Sequence, residues 1–215
     1  MKTIQNHELE KLISAGKVIE KDAHGPKVIL LSEDRYLKVF YQKSKITMAQ
    51  LRSRAKQFSS NAKKLKARGI TTIGILDVFR TSEPRRDCVC YHGIPGKTVR
   101  QAFEGGADKK GLSYKLGEYI AELHDAGVMF RSLHMGNIIQ LADGSFGLID
   151  IADMRVNLFS LHRSQRKRNF QHVFRYQQDW NAMEVSSFEQ GYLADKPTRQ
   201  HRFYQQALTS VRPQM

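Results

Sequence analysis

FRSLHMGN, Phe130 to Asn137, and GLIDIADMR, Gly147 to Arg155, are the two stretches that decide how this chain is read. The first follows a segment with helical spacing and breaks it with turn-forming residues. The second ends a run, IIQLADGSFGLID, whose apolar halves flank Asp143–Gly144, the signature of a hairpin. A hairpin just before Asp150 fixes its carboxylate on rigid backbone, facing the loop that carries Asn137. Turn formation alone is the plain alternative for both residues, but their joint spacing argues against it.

Working outward, Leu112 to Ala126 reads as a helix carrying Leu112, Leu116, Tyr119, Ile120 and Leu123 on one face. Towards the N-terminus, Met48 to Arg68 is the clearest helix. Met48, Leu51, Ala55, Phe58, Ala62 and Leu65 alternate steps of three and four, and Gly69 ends it. Asn6 to Ala15 forms a shorter helix with Asn6 as its cap. Lys17–Lys21 and Lys27–Leu31 read as strands joined at Ala23–Pro26, with RYLKVFYQ as a third. Thr71–Arg80 and Cys88–His92 read as two more strands, GIPGKT as a loop, and the segment after Asp150 as mostly helical. Strands gathered first and helices later predict an α+β chain with a small sheet lobe and a mostly helical lobe.

The bulk property that stands out is charge. Of 215 residues, 35 are Lys or Arg and 21 Asp or Glu, a formal net charge of +14. Between Arg35 and Leu76 no acid occurs at all, and a second basic run, LHRSQRKRNFQHVFR, spans Leu161 to Arg175. A solvated helix face is the ordinary explanation of such lysines. The missing acids point instead to an anionic partner: phosphorylated glycolipid, the inner-membrane face, or, as the weaker option, nucleic acid. The chain has no apolar run long enough to span a bilayer and no signal-peptide core near its start, so a cytoplasmic protein, peripheral at most, is expected. Cys88 and Cys90 lie two apart, a poor spacing for a disulfide or a metal site, and are expected as reduced thiols.

The order of elements, with LGEYIAELHDAGVMFRSLHMGNII followed by LIDIADM, resembles the protein-kinase-like superfamily. The resemblance runs from about residue 17 to 180 and is strongest towards the bacterial lipopolysaccharide-core kinase and toluene-tolerance group. It implies a two-lobed fold with a small antiparallel-sheet N-lobe over about 1–90, a linker at about 91–97 and a helical C-lobe over about 98–215. It also implies ATP and Mg²⁺ as cofactors and phosphoryl transfer to a sugar hydroxyl. By resemblance Asn137 and Asp150 are the metal ligands, Lys38 holds nucleotide phosphates, and Tyr91, His92 and Gly93 meet the adenine ring. The types suit the chemistry, since Mg²⁺ takes oxygen ligands and a lysine neutralises phosphate charge. For Lys38 the alternative is a strand lysine snorkelling at a sheet edge.

Three departures bear on activity. Ser132 stands where such a loop carries its acidic base, and Phe130 where it carries a histidine. A general base is worth about 10²–10⁴-fold. Asp153 and His134 are the candidate substitutes, against a cap or a salt bridge to Arg155 for the first and a structural hydrogen bond within the loop for the second. The helix after Lys38 has no acid to pair with it, leaving Phe58 or Asn61 facing the lysine. The first hairpin lacks GxGxxG. A pseudokinase acting as a nucleotide-binding or scaffold protein in envelope biogenesis, or a nucleic-acid-associated kinase-like protein, are the rival readings.

Overall fold

The computed structural model describes residues 1–41 and 53–211. They divide into two compact units, Met1–Ala67 with Thr71–Pro95, and Arg68–Ile70 with Gly96–Met215.

The first unit contains β1 (Lys2–Ile4), α1 (Asn6–Ala15), β2 (Lys17–Asp22), β3 (Gly25–Ser32), β4 (Arg35–Tyr41), α2 (Arg54–Lys66), β5 (Thr71–Thr72), β6 (Gly74–Thr81) and β7 (Arg86–His92). Six strands form one sheet in the order β1-β6-β7-β4-β3-β2. All its pairings are antiparallel except β1 with β6. Alternation along β4 assigns its faces. Leu37 and Val39 join Leu9 and Ile13 of α1, Ile29 and Cys88 in one buried cluster. Tyr36, Lys38 and Phe40 point to the opposite face, where Phe58 of α2 packs edge-on against Phe40 and Tyr91. Helix α2 buries Ala55, Phe58, Ala62 and Leu65, as its stripe requires. Burying Phe58 and Leu65 stabilises the unit by about 1.5–3 kcal/mol each.

Several expectations need correcting here. The cap of α1 is Gln5, whose N–H is met by the Glu8 carboxylate at 2.7 Å, not Asn6. Helix α2 starts at Arg54 behind the Ser53 cap; Met48, Leu51 and Arg52 lie outside the described residues. The expected strand Thr71–Arg80 is broken at Ile73 into β5 and β6. Strand β1 was not foreseen, because three residues are too short for a visible alternation.

The second unit contains β8 (Lys97–Thr98), α3 (Val99–Glu104), α4 (Lys109–Asp125), β9 (Val128–Phe130), β10 (Ile138–Gln140), β11 (Phe146–Leu148), β12 (Met154–Val156), α5 (Arg163–Val173), α6 (Gln177–Ala182), α7 (Val185–Leu193) and α8 (Thr198–Thr209). The hairpin β10–β11 turns at Asp143–Gly144 as read, with Gly144 at φ 82°. GIPGKT is not wholly loop: Lys97 and Thr98 pair with β10. Asp108 caps α4 through its carboxylate, so the helix starts at Lys109, three residues before the expected Leu112. Helices α4 and α7 approach closely at Gly117 and Gly191, where an added Cβ would run into the carbonyls of Phe188 and Tyr114. Among the described residues no helix is long and apolar enough to cross a membrane.

Candidate active site

The loop between β9 and β10 is held by hydrogen bonds along its length. Strand β9 pairs with β12, and the Arg131 N–H continues that ladder to the Asp153 carbonyl at 3.1 Å. A 3-10 turn at Met135–Asn137 then feeds β10. The hairpin register is extended by the Ile149 N–H, which donates to the Asn137 carbonyl at 3.0 Å. Asn137 and Asp150 are therefore neighbours across the start of the hairpin.

The side chain of Asn137 is buried and oriented. Its Nδ2 donates to the Ser132 carbonyl at 2.9 Å and lies 3.2 Å from His134 Nε2. With both amide hydrogens held by the loop, the amide oxygen is the atom left to serve as an acceptor. Asp150 has left-handed backbone, φ 49° and ψ 43°, the one non-glycine residue described with positive φ. Aspartate tolerates this conformation better than most residues, yet it remains uncommon away from functional turns. An amide oxygen and a carboxylate are hard ligands that suit Mg²⁺, with phosphate and water completing the shell. Among the described residues no group of three His, Cys, Asp or Glu side chains could hold a metal.

Ser132 is half-buried, and among the described residues its hydroxyl makes no hydrogen bond; its carbonyl instead accepts from Asn137 and from the His134 N–H. Burial, with Arg100 and Arg175 nearby, lowers the His134 pKa, against the opposing pull of Asp179 and Asp150. Neutral His134 meets the Asn137 amide with Nε2, so its proton sits on Nδ1, which is buried without a partner among the described residues. That geometry matches the structural hydrogen bond weighed for it. Asp153 is exposed at the end of a 3-10 turn.

Two supports of this loop were not legible beforehand. Asp179 on α6, 1% exposed, receives Arg100 Nε at 2.7 Å and Nη2 at 3.0 Å, and also the Met135 N–H at 3.2 Å. One carboxylate thus ties α3, α6 and the loop together. The second support is a directional chain. Arg166 Nη1 donates to the Tyr192 oxygen (3.1 Å) and the Tyr192 hydroxyl to His124 Nδ1 (2.8 Å). His124 Nε2–H donates to Asn169 Oδ1 (3.0 Å), and Asn169 Nδ2 to the Phe130 carbonyl (2.6 Å). Burial and the nearby Arg166 charge push His124 down to about 3, which keeps it neutral and preserves the direction of the chain.

In the sheet unit, Lys38 lies on an interior strand and is 4% exposed, which excludes snorkelling at a sheet edge. Its ammonium sits 5.8 Å from the Phe58 ring centroid and 6.0 Å from that of Phe40, within reach of cation–π attraction. Of the two α2 residues expected to face the lysine, Phe58 lies within cation–π reach of it, and Asn61 is buried at 1% exposure. Tyr91 and Tyr36 are ladder partners and stack at 5.5 Å and 17°. The Tyr36 ring also presses on Gly93, where an added Cβ would stand 2.6 Å from its Cε2. The Gly93 N–H donates to the Asp34 carbonyl at 2.8 Å, and His92 Nδ1 lies 2.7 Å from the Asp34 carboxylate. Of the residues assigned to adenine, the Gly93 N–H is therefore already used, and Tyr36 covers the face beside Tyr91. The thiols of Cys88 and Cys90 are free; burial pushes Cys88 up to about 12, so it is unreactive.

No protein-family model matches the chain, and no curated protein matches its sequence. Solved structures do match its fold. A divergent kinase lacking the glycine-rich loop, which regulates membrane ultrastructure of the Toxoplasma parasitophorous vacuole, is 15% identical with a TM-score of 0.51 over 99% of this chain and 82% of that one. The bifunctional kinase-methyltransferase WbdD matches at 16% identity and a TM-score of 0.49, covering 86% of this chain. A WbdD complex with the kinase inhibitor LY294002 gives 17% and 0.47. This chain spans about half the length of the WbdD chains, 46% and 47%. A β-sheet unit followed by a helical unit, in this order of elements, is a kinase-like α+β fold.

Proposed function

We propose that this chain is a small kinase-like phosphotransferase that uses ATP with Mg²⁺ and acts on a sugar hydroxyl of a phosphorylated glycolipid, as lipopolysaccharide-core kinases do. The observation that carries the reading is the orientation of Asn137: its amide hydrogens are held by the loop, which leaves its oxygen as the available acceptor, and its backbone carbonyl takes the N–H of Ile149, the residue next to Asp150. Asn137 and Asp150 would hold the metal, which neutralises phosphate charge when bound. Lys38 would hold nucleotide phosphates, its ammonium lying 5.8 Å from the Phe58 ring centroid and 6.0 Å from that of Phe40. The Ser132 hydroxyl orients the acceptor; Asp153, exposed, is the better placed of the two candidate proton acceptors, because His134 Nε2 is engaged by Asn137. Phosphoryl transfer through a loose transition state rests mainly on positioning and charge, so loss of the base slows the reaction without excluding it.

A specific observation favours a second reading, the pseudokinase. Tyr36 covers the sheet face beside Tyr91 and Gly93 on which a base would lie. The two readings separate in one assay: transfer of labelled γ-phosphate from ATP to deacylated, phosphorylated core oligosaccharide. Slow transfer by the wild type, abolished in Asp150→Ala and raised in Ser132→Asp by about 10²-fold or more, supports the phosphotransferase. No transfer by either wild type or Ser132→Asp supports the pseudokinase.

A further inference from the structure

We infer that the loop between β12 and α5 is a membrane-contact site that inserts Leu158 and Phe159 into an anionic bilayer. These are the two most exposed large apolar side chains described, at 89% and 82% of their full accessibility. Scattered single apolar residues on a surface are ordinary, but two adjacent ones at a loop tip are not.

The tip is not exposed through fraying, because its base is anchored on both sides. The Asn157 N–H donates to the Gly127 carbonyl at 2.9 Å, and its carbonyl accepts from Arg68 Nη2 at 2.7 Å. The Leu161 N–H donates to the His124 carbonyl at 2.8 Å, and the Leu161 side chain is buried. Gly127, at φ +75°, lets the loop lie close: an added Cβ would stand 2.5 Å from the Phe159 carbonyl and 2.8 Å from that of Asn157. The fold therefore presents two apolar side chains outward on a fixed base.

The surroundings choose the occupant. Arg155 precedes the tip, and Arg163 and Lys167 follow it one turn apart on α5, so they share a face. All three are exposed, and none pairs with a carboxylate among the described residues. Residues Ser160 to Arg163 also form one wall of a cavity of about 440 Å³. It holds the Arg166 and Lys196 cations against the carboxylates of Asp125 and Asp195, so Arg163 leaves it with one positive charge in excess. An apolar tip flanked along the chain by cations that no carboxylate neutralises among the described residues, Arg163 lying over the Phe203 ring at 4.7 Å, matches the interfacial region of a bilayer, where acyl chains lie under anionic headgroups. It suits a protein partner less well, since that interface would have to bury or pair the cations. This site stands apart from the phosphotransfer reading and holds whether or not the chain turns over.

The test is flotation of the full chain with phosphatidylcholine vesicles and with vesicles of phosphatidylcholine and phosphatidylglycerol at about 70:30. Wild type floats with the anionic vesicles only, and binding falls at least several-fold when salt is raised from about 0.1 to 0.5 M. Leu158→Glu/Phe159→Glu reduces binding about tenfold or more, Arg163→Glu/Lys167→Glu reduces it in proportion to charge, and both keep the wild-type circular dichroism. Phe159→Trp shows a blue-shifted emission on adding anionic vesicles, a direct sign of insertion, once the Trp180 emission of the wild type is subtracted. Equal flotation of the Leu158→Glu/Phe159→Glu variant, or a Phe159→Trp emission that the vesicles leave unshifted, overturns the inference. So does a wild-type dimer in light scattering that the double-glutamate tip variant dissolves without any flotation, or salt-sensitive RNA binding without flotation.

Discussion

Removing the Asp179 carboxylate should unfold the helical unit far more readily than any surface change. Asp179 is 1% exposed and accepts three hydrogen bonds: two from the Arg100 guanidinium and one from the Met135 N–H. Breaking a buried ion pair by deleting one partner costs about 3–5 kcal/mol. Arg100 is 27% exposed, so water can partly solvate the abandoned guanidinium, which places this loss near 3 kcal/mol, the lower end of that range of about 3–5. The Met135 N–H, left buried without a partner, adds about 1 kcal/mol or more. The expected cost of Asp179→Ala is therefore about 4 kcal/mol, and of Asp179→Asn about half of that, because the amide oxygen still accepts one bond. With a urea slope of about 2 kcal/mol per M, the midpoint should fall by about 2 M for the alanine variant and about 1 M for the asparagine. Circular dichroism at 222 nm follows the transition. A midpoint for Asp179→Ala within about 0.3 M of wild type would falsify the role assigned to this carboxylate.

Acid should destabilise the protein through His124. Its pKa in the fold is about 3, below the unfolded value near 6.5, so the two states carry the same charge on this residue above pH 6.5. Below that the unfolded chain takes up the proton first, and stability falls until about pH 3. Between pH 7 and 4.5 the loss from this residue is about 2–3 kcal/mol, with His134 and His172, also lowered, adding in the same direction. Urea midpoints across that range should show it, and His124→Gln should flatten the slope while lowering stability at pH 7. Tyr36→Ala should tighten nucleotide binding about 3–10-fold, because the base no longer has to displace a stacked aromatic pair worth about 0.5–1.5 kcal/mol. Weaker binding in that variant would mean that Tyr36 is the platform on which the base stacks.

For the segment from Phe130 to Asp150 the hairpin was legible from its turn residues, while the metal-binding roles of Asn137 and Asp150 came from the resemblance. Asn137 and Asp150 flank a short hairpin, and their proximity follows from its register. The stripe on α2 was readable because helical periodicity is local, and it left Phe58 or Asn61 as the residue towards Lys38. What was missed comes from sequence-distant partners. Asp179 acts 44 positions from Met135, and Asn169 acts 39 positions from Phe130. Neither stands out in a polar helical segment without the packing of α5 and α6. Tyr36 was read only as part of a strand. Its place on the same face as Lys38, two residues on, follows from strand alternation; its contact with Gly93 needed the β4–β7 register. The Leu158–Phe159 pair was hidden because the segment after Asp150 reads as mostly helical, where two apolar residues pass as core until their exposure is seen.

The central claim is that Asn137 and Asp150 form a metal-dependent nucleotide-phosphate site. The direct measurement is titration of a fluorescent ATP analogue with and without Mg²⁺, for wild type, Asn137→Ala and Asp150→Ala, each shown to be folded. Saturable binding that needs Mg²⁺ in the wild type and weakens at least tenfold in both variants is the expected result. Mg²⁺-independent binding of equal strength in all three proteins, or no binding in the wild type or in Tyr36→Ala, would contradict it.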